Sequence, residues 1–571
     1  MQRSRRLVFA AVAVAAGALL SAAPAVAAHF LYVSNGGVPG STSGYSIGPG
    51  ATLTPIPGAS DSTGVFPRAL AVTPDAKRLY VSGFGLTGFD IAADGALTAI
   101  AGGSFGAGQS YGQITITPDG TRLYAAGQAA NQVFGFAIAA NGALSALPNS
   151  PYNAGTFTFG VALAPDADRL YAANITSDNI SIYQVLANGS LGQIPGSPTA
   201  GGDGPNMLGI TPNGKHLYVA GNDESAVRGF AVAANGTLAG VTGNPFATGA
   251  LPWGATVSPD GRNVYIGSQG AGTISGFSIG SSGTLLAVPG SPLAAGGTGT
   301  REVAITADGS AAFAANLTTD NVSRFTRDPA SGELTLVPPA AAATDAATGA
   351  VITPNQPPAA GYTTVADGRT VAFTSTTTDP DTTLAGATYA WEFGDGAVLN
   401  GPEANPTHAY AVDGSYNVRL TVTDAEGCST VPVYPGQTLY CNGGPGATVV
   451  QPVIVDSVLD GARFKAKKTQ KQKRGKVVIK AKAGAAEKVL LTVTNGKVKL
   501  SGAKLKLKKV RQDDVAAGKL KKLKLKPKGK RATKEILAAL EAGKKVKASF
   551  KVRLEDDAGN SAEKTLKVRL R

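Results

Sequence analysis

Short apolar runs separated by polar turns repeat from His29 to about Pro354. One unit reads as an apolar run ending in Thr-Pro, a Pro-Asp-Gly turn, a Leu-Tyr-Val run, a Gly-Phe-x-Ile run and an Asn-Gly or Asp-Gly turn. Pro presets φ, Asp bonds to nearby backbone and Gly tolerates positive φ, so Pro-Asp-Gly predicts a tight turn. Asn-Gly between apolar runs predicts a hairpin. Each unit therefore predicts four short strands.

The turn motif has a regular period. It occurs six times, and the last copy is degenerate. The copies are Thr73–Gly83, Thr117–Gly127, Ala164–Asn174, Thr211–Gly221, Ser258–Ser268 and Thr306–Asn316. Successive copies lie 44 to 48 residues apart, and the Gly-Phe-x-Ile motif occurs seven times. Four strands at this period predict the blades of an all-β propeller.

A seventh position lies in phase with the six copies. Ala350–Pro354 has the form of the apolar run ending in Thr-Pro, and Pro354 follows Ala307 by 47 residues. We expect this segment to be the inner strand of the blade that Leu31 begins, so that both ends of the repeat region close one blade. The alternative is a chance match in a linker.

These residues resemble a known family. The pattern L-A-V-T-P-D-x-x-R-L-Y-V, followed by G-F-x-I-x-x-x-G-x-L, is similar to the YVTN/lactonase-like seven-bladed propellers over about Phe30–Pro354. The resemblance implies that fold. It also implies that some relatives hydrolyse a sugar lactone, as 6-phosphogluconolactonase-type propellers do, whereas many others are secreted or surface proteins without an assigned activity.

A second resemblance begins at Asn355. Thr388–Gly396, Asn405–Tyr410 and Gly414–Asp424 resemble the PKD domain, an Ig-like β-sandwich, over about Asn355–Val455. Val418, Leu420 and Val422 alternate with polar residues, as in a half-buried strand. An insertion at Glu426–Gly446 carries both cysteines of the chain, Cys428 and Cys441. We expect a disulfide between them, the alternative being two free thiols.

The N-terminus reads as an export signal. Met1–Ala28 has a basic start, an apolar run at Leu7–Leu20 and a small-residue cleavage site at Ala25–Ala27. The alternative is a membrane anchor. No later apolar run is long enough to span a bilayer. A secreted or cell-envelope protein is therefore expected, without a transmembrane span once the signal is cleaved.

Charge divides the chain unevenly. Asp456–Arg571 holds 36 Lys and Arg against 11 Asp and Glu, a net charge of +25, whereas the rest of the chain carries −11. Val477–Lys482, Val489–Val493, Val498–Leu500, Leu505–Leu507, Leu520–Lys526 and Ala548–Leu554 alternate like strands. Ala532–Ala542 predicts one helix, and Asp556–Asn560 resembles the turn before the last strand of bacterial Ig-like domains. We predict a Lys-rich Ig-like domain.

The partner of this basic segment is expected to be an anionic envelope polymer, an acidic carbohydrate or a lipid headgroup. Phe464 and Phe550 are its two aromatic residues, too few for the stacking that nucleic-acid binding uses, so nucleic acid is not predicted. The alternative is a solvated face that only keeps the domain soluble. Protein partners are also compatible with the sequence.

The spacing of the repeat places one residue of each unit at the start of its inner strand, and these residues together line the mouth of a central channel. The candidate ligand-binding residues are Arg68, Gln113, Asn206, Trp253, Arg301 and Glu302. Two Arg beside a Glu and a Trp suit a carboxylate, a phosphate or a sugar. The alternative is that they are ordinary loop residues.

Catalysis by this set is the minority hypothesis. Lactonase relatives are expected to use His, Arg and Glu, but none of the three histidines falls at a channel position. Glu302 would be the base, with Arg301 and Arg68 as partners. No metal-ligand cluster or cofactor motif is found, and Asp379-Pro-Asp381 is interpreted as a polar turn rather than a Ca²⁺ ligand pair. The sequence thus predicts a binding or adhesion protein, and a lactonase-like hydrolase as the alternative.

Overall fold

The computed structural model describes residues 29–59, 62–64, 66–342, 346–381, 383–455, 462–473, 475–485, 489–500, 503–516, 519–555 and 561–571. The export signal predicted at Met1–Ala28 and the turn predicted at Asp556–Asn560 lie outside these residues. The chain forms two compact units. Of the described residues, the first unit contains those up to Pro358 with those of Asp379–Ala385 and Thr423–Pro445, and the second contains those of Ala359–Thr378, Gly386–Val422 and Gly446–Arg571.

The first unit is a β-propeller whose described strands form seven blades, numbered here by their inner strands. The inner strands of blades 1 to 7 are Leu70–Val72, the end of Leu97–Ile116, Thr158–Leu163, Pro205–Ile210, Pro252–Val257, Thr300–Ile305 and Ala347–Ile352. Each packs against the next, and that of blade 7 packs against that of blade 1, so the ring is closed. The predicted fold class is confirmed.

The second strands carry the Leu-Tyr-Val motif and pair antiparallel with the inner strands. In blades 2 to 6 they are Arg122–Gly127, Arg169–Asn174, His216–Gly221, Asn263–Ser268 and Ala311–Asn316. The third strands of these blades are Gln132–Ile138, Asn179–Val185, Ala226–Val232, Thr273–Ile279 and Asn321–Arg327. The second strand is buried on both faces, as expected for stacked sheets.

The outer edge of each of blades 2 to 6 is a pair of short segments rather than the single strand expected from the sequence. They are Leu144–Ala146 with Tyr152–Asn153, Leu191–Gln193 with Thr199–Ala200, Leu238–Gly240 with Phe246–Ala247, Leu285–Ala287 with Leu293–Ala294, and Leu334–Leu336 with Ala341–Ala342. An X-Pro bond between the two segments interrupts the pairing, because proline lacks the N–H that a ladder needs.

Blades 1 and 7 differ from the others. In blade 1, Arg78–Ile91 is one continuous strand, and Leu97–Ile116 continues from blade 1 into blade 2, so these two blades share one sheet. Blade 7 combines Phe30–Asn35, Gly40–Gly48, a 3-10 turn at Pro49–Ala51, Thr52–Pro55 and Ser62–Gly64 with Ala347–Ile352. Leu31 pairs antiparallel with Ile352, which joins the two ends of the repeat region in one blade.

A ladder of tyrosine hydroxyls joins successive blades. The tyrosine of six Leu-Tyr-Val strands donates to a glycine carbonyl in the Asn-Gly-type turn of the following blade, at 2.6–3.3 Å. In the degenerate copy Phe313 replaces the tyrosine and is fully buried. The repeated tyrosine therefore satisfies a carbonyl of the neighbouring blade while its ring fills the core.

The second unit contains the PKD-like sandwich. One sheet consists of Tyr362–Asp367, Thr370–Ser375 and Thr407–Ala409; the other consists of Val398–Gly401, Thr388–Glu392, Gly414–Thr423 and Thr448–Val455, after a 3-10 turn at Pro445–Ala447. Phe373 and Trp391 pack at a ring distance of 5.2 Å in the core. Gly394 and Gly396 both adopt positive φ between the strands Thr388–Glu392 and Val398–Gly401.

The basic domain, described from Ala462 to Arg571, is also built on two sheets. One contains Arg463–Lys465, Ile479–Gly484 and Lys521–Leu525; the other contains Thr469–Gln470, Ser561–Leu570, Val546–Glu555, Val489–Leu500, Ala503–Lys506 and Val510–Val515. The helix Lys530–Glu541 ends one residue before the predicted end at Ala542, and Gly543 follows with positive φ. The strands predicted at Val489–Val493 and Val498–Leu500 form one continuous strand, Val489–Leu500. Its pairing continues through a register shift beside Asn495.

No helix in the described part of the chain combines the length and the apolar character needed to cross a bilayer.

Candidate functional site

The first residues of the inner strands surround one end of the channel. Arg68 lies just before the inner strand of blade 1, Trp253 lies at the start of that of blade 5, and Arg301 at the start of that of blade 6. All three side chains are half-buried, so part of each faces solvent. We call this end the mouth.

Arg301 is held by an aromatic ring and an amide. Its guanidinium lies 4.2 Å from the centre of the Trp253 ring, a cation–π contact, and its Nε donates to Gln269 Oε1 at 3.0 Å. Trp253 packs edge-on against Phe159, with ring centres 5.3 Å apart. Burial, and then the charge of Arg68, lower the pKa of Arg301 to about 10.

Arg68 is the second cation of the mouth. Its guanidinium donates to Ser110 Oγ at 2.5 Å, to the Tyr111 carbonyl at 3.3 Å and to Gln128. Burial lowers its pKa as well. Among the described residues neither Arg68 nor Arg301 forms an ion pair with a carboxylate. The mouth therefore carries positive charge that the protein does not neutralise, which favours an anionic ligand.

Three of the six sequence candidates lie below this surface. Gln113 accepts a hydrogen bond from the Val161 amide at 2.9 Å, so it joins two inner strands. Asn206 is 1% exposed, and neither its amide oxygen nor its amide nitrogen has a hydrogen-bond partner among the residues that the structure describes. Glu302 is buried because consecutive residues of a strand point to opposite sides, and Arg301 takes the outer one.

Glu302 faces the interior of the channel. Its Oε2 accepts a hydrogen bond from the Ala350 amide at 3.2 Å, and Gly349 leaves the space in which the carboxyl lies. Burial raises the pKa of Glu302 to about 8, although the Ala350 hydrogen bond opposes the shift. Glu302 is therefore mainly protonated at neutral pH and does not offset the charge of the two arginines.

A rim of exposed apolar side chains accompanies the mouth. Phe66, Phe157 and Leu251 occupy the same repeat position, two residues before Arg68, Phe159 and Trp253, and are 40–46% exposed. All three adopt φ of 51–58°, where blades 4 and 6 have Gly204 and Gly299. Bulky residues rarely adopt this conformation. Sequence reasoning missed these three residues, although the phase that located Arg68 also locates them.

Phe84 extends the rim. Its ring is 50% exposed, lies 5.6 Å from the Arg68 guanidinium and packs edge-on against Phe66 at 6.0 Å. An exposed apolar group beside an unneutralised cation suits a ligand with both an apolar face and an anionic group.

The other end of the channel is closed by the insertion of the PKD-like sequence. Thr423–Pro445 belongs to the propeller unit, and its disulfide between Cys428 and Cys441 is present, as predicted. The carbonyls of Pro435, Gly436 and Gln437 accept the amides of Ile210, Leu163 and Ile116 at 3.1, 2.9 and 3.2 Å. These amides end three inner strands. We call Val433–Cys441 the plug.

Side chains of the plug reach the same strands. The Tyr434 hydroxyl donates to the Ile116 carbonyl at 2.8 Å and lies 2.5 Å from the Thr115 hydroxyl. Gln437 Nε2 donates to the Leu208 carbonyl at 2.6 Å, and the Tyr440 hydroxyl to the Val257 carbonyl at 2.7 Å. A cavity of about 60 Å³ remains between Glu302 and the plug residues Gln437 and Tyr440. The channel is thus filled by protein at this end.

The histidines lie away from the mouth. His29 pairs with Glu426 at 2.5 Å, beside the plug. His216 begins a second strand in a blade, and His408 lies 2.8 Å from Asp395 in the PKD-like sandwich. Across the described residues no three His, Cys, Asp or Glu side chains are placed to hold a metal ion.

Asp379 and Asp381, the other acidic candidates, form a local polar turn. The Asp381 amide donates to Asp379 Oδ1 at 3.2 Å, and Asp381 Oδ2 accepts the Gln356 amide at 2.7 Å. Burial, and then the hydrogen bond with Asp379, raise the pKa of Asp381 to about 7.

Comparison with known proteins gives two family matches. Residues 92–185 and 160–348 match the model described as "Lactonase, 7-bladed beta-propeller", and residues 353–433 match that of the PKD domain. Both resemblances found in the sequence are confirmed. A microbial collagenase from Vibrio alginolyticus is 33% identical over 101 residues, 17% of this chain and 12% of the collagenase. The chain thus spans about an eighth of that relative's length.

Solved structures resemble the propeller. A protein from Lactobacillus plantarum superposes with a TM-score of 0.50 at 18% identity, covering 57% of this chain and 99% of that one. A periplasmic gluconolactonase from Pseudomonas aeruginosa gives a TM-score of 0.48 at 19% identity, with the same coverage. The first likeness extends to the fold alone.

Proposed function

We propose that this chain, in which a propeller similar to the lactonase family precedes a PKD-like domain, is a secreted or cell-envelope binding protein. Its propeller mouth would hold an acidic carbohydrate. The observation that carries the proposal is the pair of half-buried arginines, Arg68 and Arg301, that lack a carboxylate partner among the described residues. The disulfide and the export signal expected from the sequence favour an oxidising compartment.

The mouth suits a carboxylated sugar better than a small inorganic anion. Guanidinium groups bind carboxylates through paired hydrogen bonds. Trp253 and the rim residues Phe66, Phe84 and Phe157 offer flat apolar surfaces to the C–H faces of a sugar ring. A ligand that combines a sugar ring with a carboxylate uses both features. The PKD-like domain would then be a spacer, and the basic domain would attach the protein to an anionic surface.

The binding test compares two variants that lose the same charge. Arg68→Gln with Arg301→Gln should weaken binding of an oligouronide at least about 50-fold, because two charge-assisted contacts of about 1.5–3 kcal/mol each are lost. Lys77→Gln with Arg262→Gln removes two exposed cations elsewhere on the propeller and should leave the affinity within twofold. Equal affinity in the wild type and the mouth variant, measured by calorimetry, would overturn the proposal.

A lactonase-like hydrolase is the second candidate, favoured by the family match at residues 92–348. Against it, Glu302 is buried and mainly protonated at neutral pH, so it is poorly suited to act as a base. No histidine lies at the mouth to replace it. Hydrolysis of gluconolactone and its 6-phosphate should equal the uncatalysed rate. A rate that depends on Glu302, shown by its loss in Glu302→Gln, would establish the hydrolase instead.

A further inference from the structure

We infer that one face of the basic domain is a binding trough for a linear polymer whose charges are phosphate groups. The inference deepens the attachment role given to this domain above and rests on that proposed function. The face belongs to the sheet that contains Val489–Leu500, Val546–Glu555 and Ser561–Leu570, and it lines a depression of about 1050 Å³. We call it the basic trough.

Strand register places the cations of the trough side by side. Lys499 lies opposite Lys547, and Lys547 opposite Arg569, so three cations form one row across three strands. In the next row Lys497 lies opposite Ser549, and Ser549 opposite Lys567. Neighbouring strands are about 4.8 Å apart and alternate residues of a strand about 7 Å apart, so these five charges crowd a small area.

This arrangement is unfavourable for the isolated domain. Like charges directly opposite each other destabilise a sheet, and no Asp or Glu is among the described residues that line the trough. Further along the same sheet the charges are paired: Lys551, at the border of the trough, pairs with Glu563, and Arg553 lies 3.1 Å from Glu555. Among the described residues, the sheet thus pairs its cations at one end and leaves the five at the other end without an acidic partner. A bound polyanion would supply the missing charge.

The chemistry of the cations indicates the class of anion. Lysine dominates the trough, whereas arginine forms the propeller mouth. The lysine ammonium is a compact point charge that binds phosphate as such, whereas the planar guanidinium of arginine favours paired hydrogen bonds with a carboxylate or a phosphate. A row spacing of about 7 Å allows successive groups of an extended chain to meet successive rows.

Two other polyanions fit less well. Phe550, the aromatic residue among those that line the trough, is 1% exposed and cannot stack on a base, so a nucleic acid gains nothing beyond charge. A depression suits a thin chain better than the flat surface of a bilayer. We therefore take a polymer without bases as the occupant.

The test uses inorganic polyphosphate as the probe and the full chain as the receptor. The trough variant carries Lys499→Gln, Lys547→Gln and Arg569→Gln; the control carries Lys521→Gln, Lys522→Gln and Lys524→Gln, three exposed lysines of the other sheet. At low salt the trough variant should bind at least tenfold more weakly, and the control should stay within twofold of the wild type. The plot of log K against log salt has a negative slope, and the magnitude of this slope should become smaller by about 2–3 only in the trough variant.

Several outcomes would overturn the inference: equal losses in the two variants, tighter binding of anionic phospholipid vesicles or single-stranded DNA than of polyphosphate at matched charge, or equal binding of alginate. Lys499→Arg with Lys547→Arg should keep the affinity, which separates lost charge from misfolding. Oligouronide binding at the mouth should be unchanged in the trough variant. If the wild type does not bind the oligouronide, the ligand proposed for the propeller is rejected, but the inference about the basic trough is unaffected.

Discussion

The two ends of the propeller channel are built in opposite ways. At the plugged end, Pro435, Gly436 and Gln437 satisfy the last amides of three inner strands, and Tyr434 and Tyr440 donate to two further carbonyls. At the mouth, Arg68 and Arg301 keep a positive charge without an acidic partner among the described residues, and bulky residues adopt left-handed backbone. One end is completed by the protein's own groups, whereas the other carries costs that the fold alone does not explain.

This difference indicates which end of the channel binds a ligand. Stability favours satisfied backbone groups and neutralised charge, so residues that violate both are candidates for function. The plug also leaves the mouth as the end at which the channel meets solvent. The contrast predicts that substitutions at the plug lower stability, whereas substitutions at the mouth change binding and leave stability almost intact.

The largest expected effect concerns Glu302, which lies between the two ends. Its pKa is raised to about 8 in the folded protein, so the native state holds a proton that the unfolded chain releases near its ordinary pKa of 4.5. The stability of the wild type should therefore fall as pH rises from about 5 to 9, by about 3–5 kcal/mol more than that of Glu302→Gln. Calorimetric melting across this range measures the difference.

Parallel pH profiles for the wild type and Glu302→Gln would contradict this expectation. They would mean that Glu302 titrates normally. Its charge would then neutralise part of the arginine pair, and the contrast between the two ends would weaken.

Removing the disulfide should have the next largest effect. Cys428→Ala with Cys441→Ala frees a loop that the bond closes over 13 residues, which should cost about 3 kcal/mol by chain entropy. Val431→Ala, at a 69% exposed position in the same loop, should change the melting temperature little. A melting temperature of the propeller transition that is unaffected by the double substitution would show that the plug does not contribute to stability.

A smaller loss is expected at Tyr434. Tyr434→Phe removes the hydroxyl that contacts Thr115 and Ile116 in a fully buried place, and should cost about 1–3 kcal/mol because their groups lose a partner. Tyr416→Phe, whose hydroxyl donates to Val412 in an exposed place, is the matched control and should cost less than about 0.5 kcal/mol. Equal losses of stability in the two variants would show that the hydroxyl of Tyr434 contributes no more than an exposed one, and would argue against a stabilising role of the plug.

The smallest effect on stability is expected at the mouth itself. Arg68→Gln with Arg301→Gln removes two cations that repel each other, and the relief offsets the lost contacts with Ser110 and Trp253. Unfolding should change by less than about 1 kcal/mol. A loss as large as that of Tyr434→Phe would show that the arginines serve the fold rather than a ligand.

Much of the propeller could be predicted because its signals are local and repeated. The Thr-Pro-Asp-Gly phase indicated seven blades, and it placed Arg68, Trp253 and Arg301 at equivalent positions of the ring. The same phase, moved two residues upstream, contains Phe66, Phe157 and Leu251. Their role as a rim was missed because exposure and backbone angle cannot be read from residue type.

The plug could not be predicted from the sequence. Tyr434, Gln437 and Tyr440 reach backbone carbonyls more than 180 residues away, and a carbonyl acceptor leaves no mark on residue type. The burial of Glu302 was missed for a related reason. Strand alternation separates Glu302 from Arg301, but which of the two faces solvent depends on how the seven strands close around Gly349.

Calorimetric titration of the full chain with two matched ligands tests whether the propeller mouth recognises a carboxylate. One is an oligouronide, and the other is the same oligosaccharide with its carboxyl groups reduced to alcohols. We expect the acidic form to bind and the reduced form to bind at least about tenfold more weakly, because the arginine pair would lose its anion. Equal affinity for the two forms, or absence of binding by the acidic form, would contradict it.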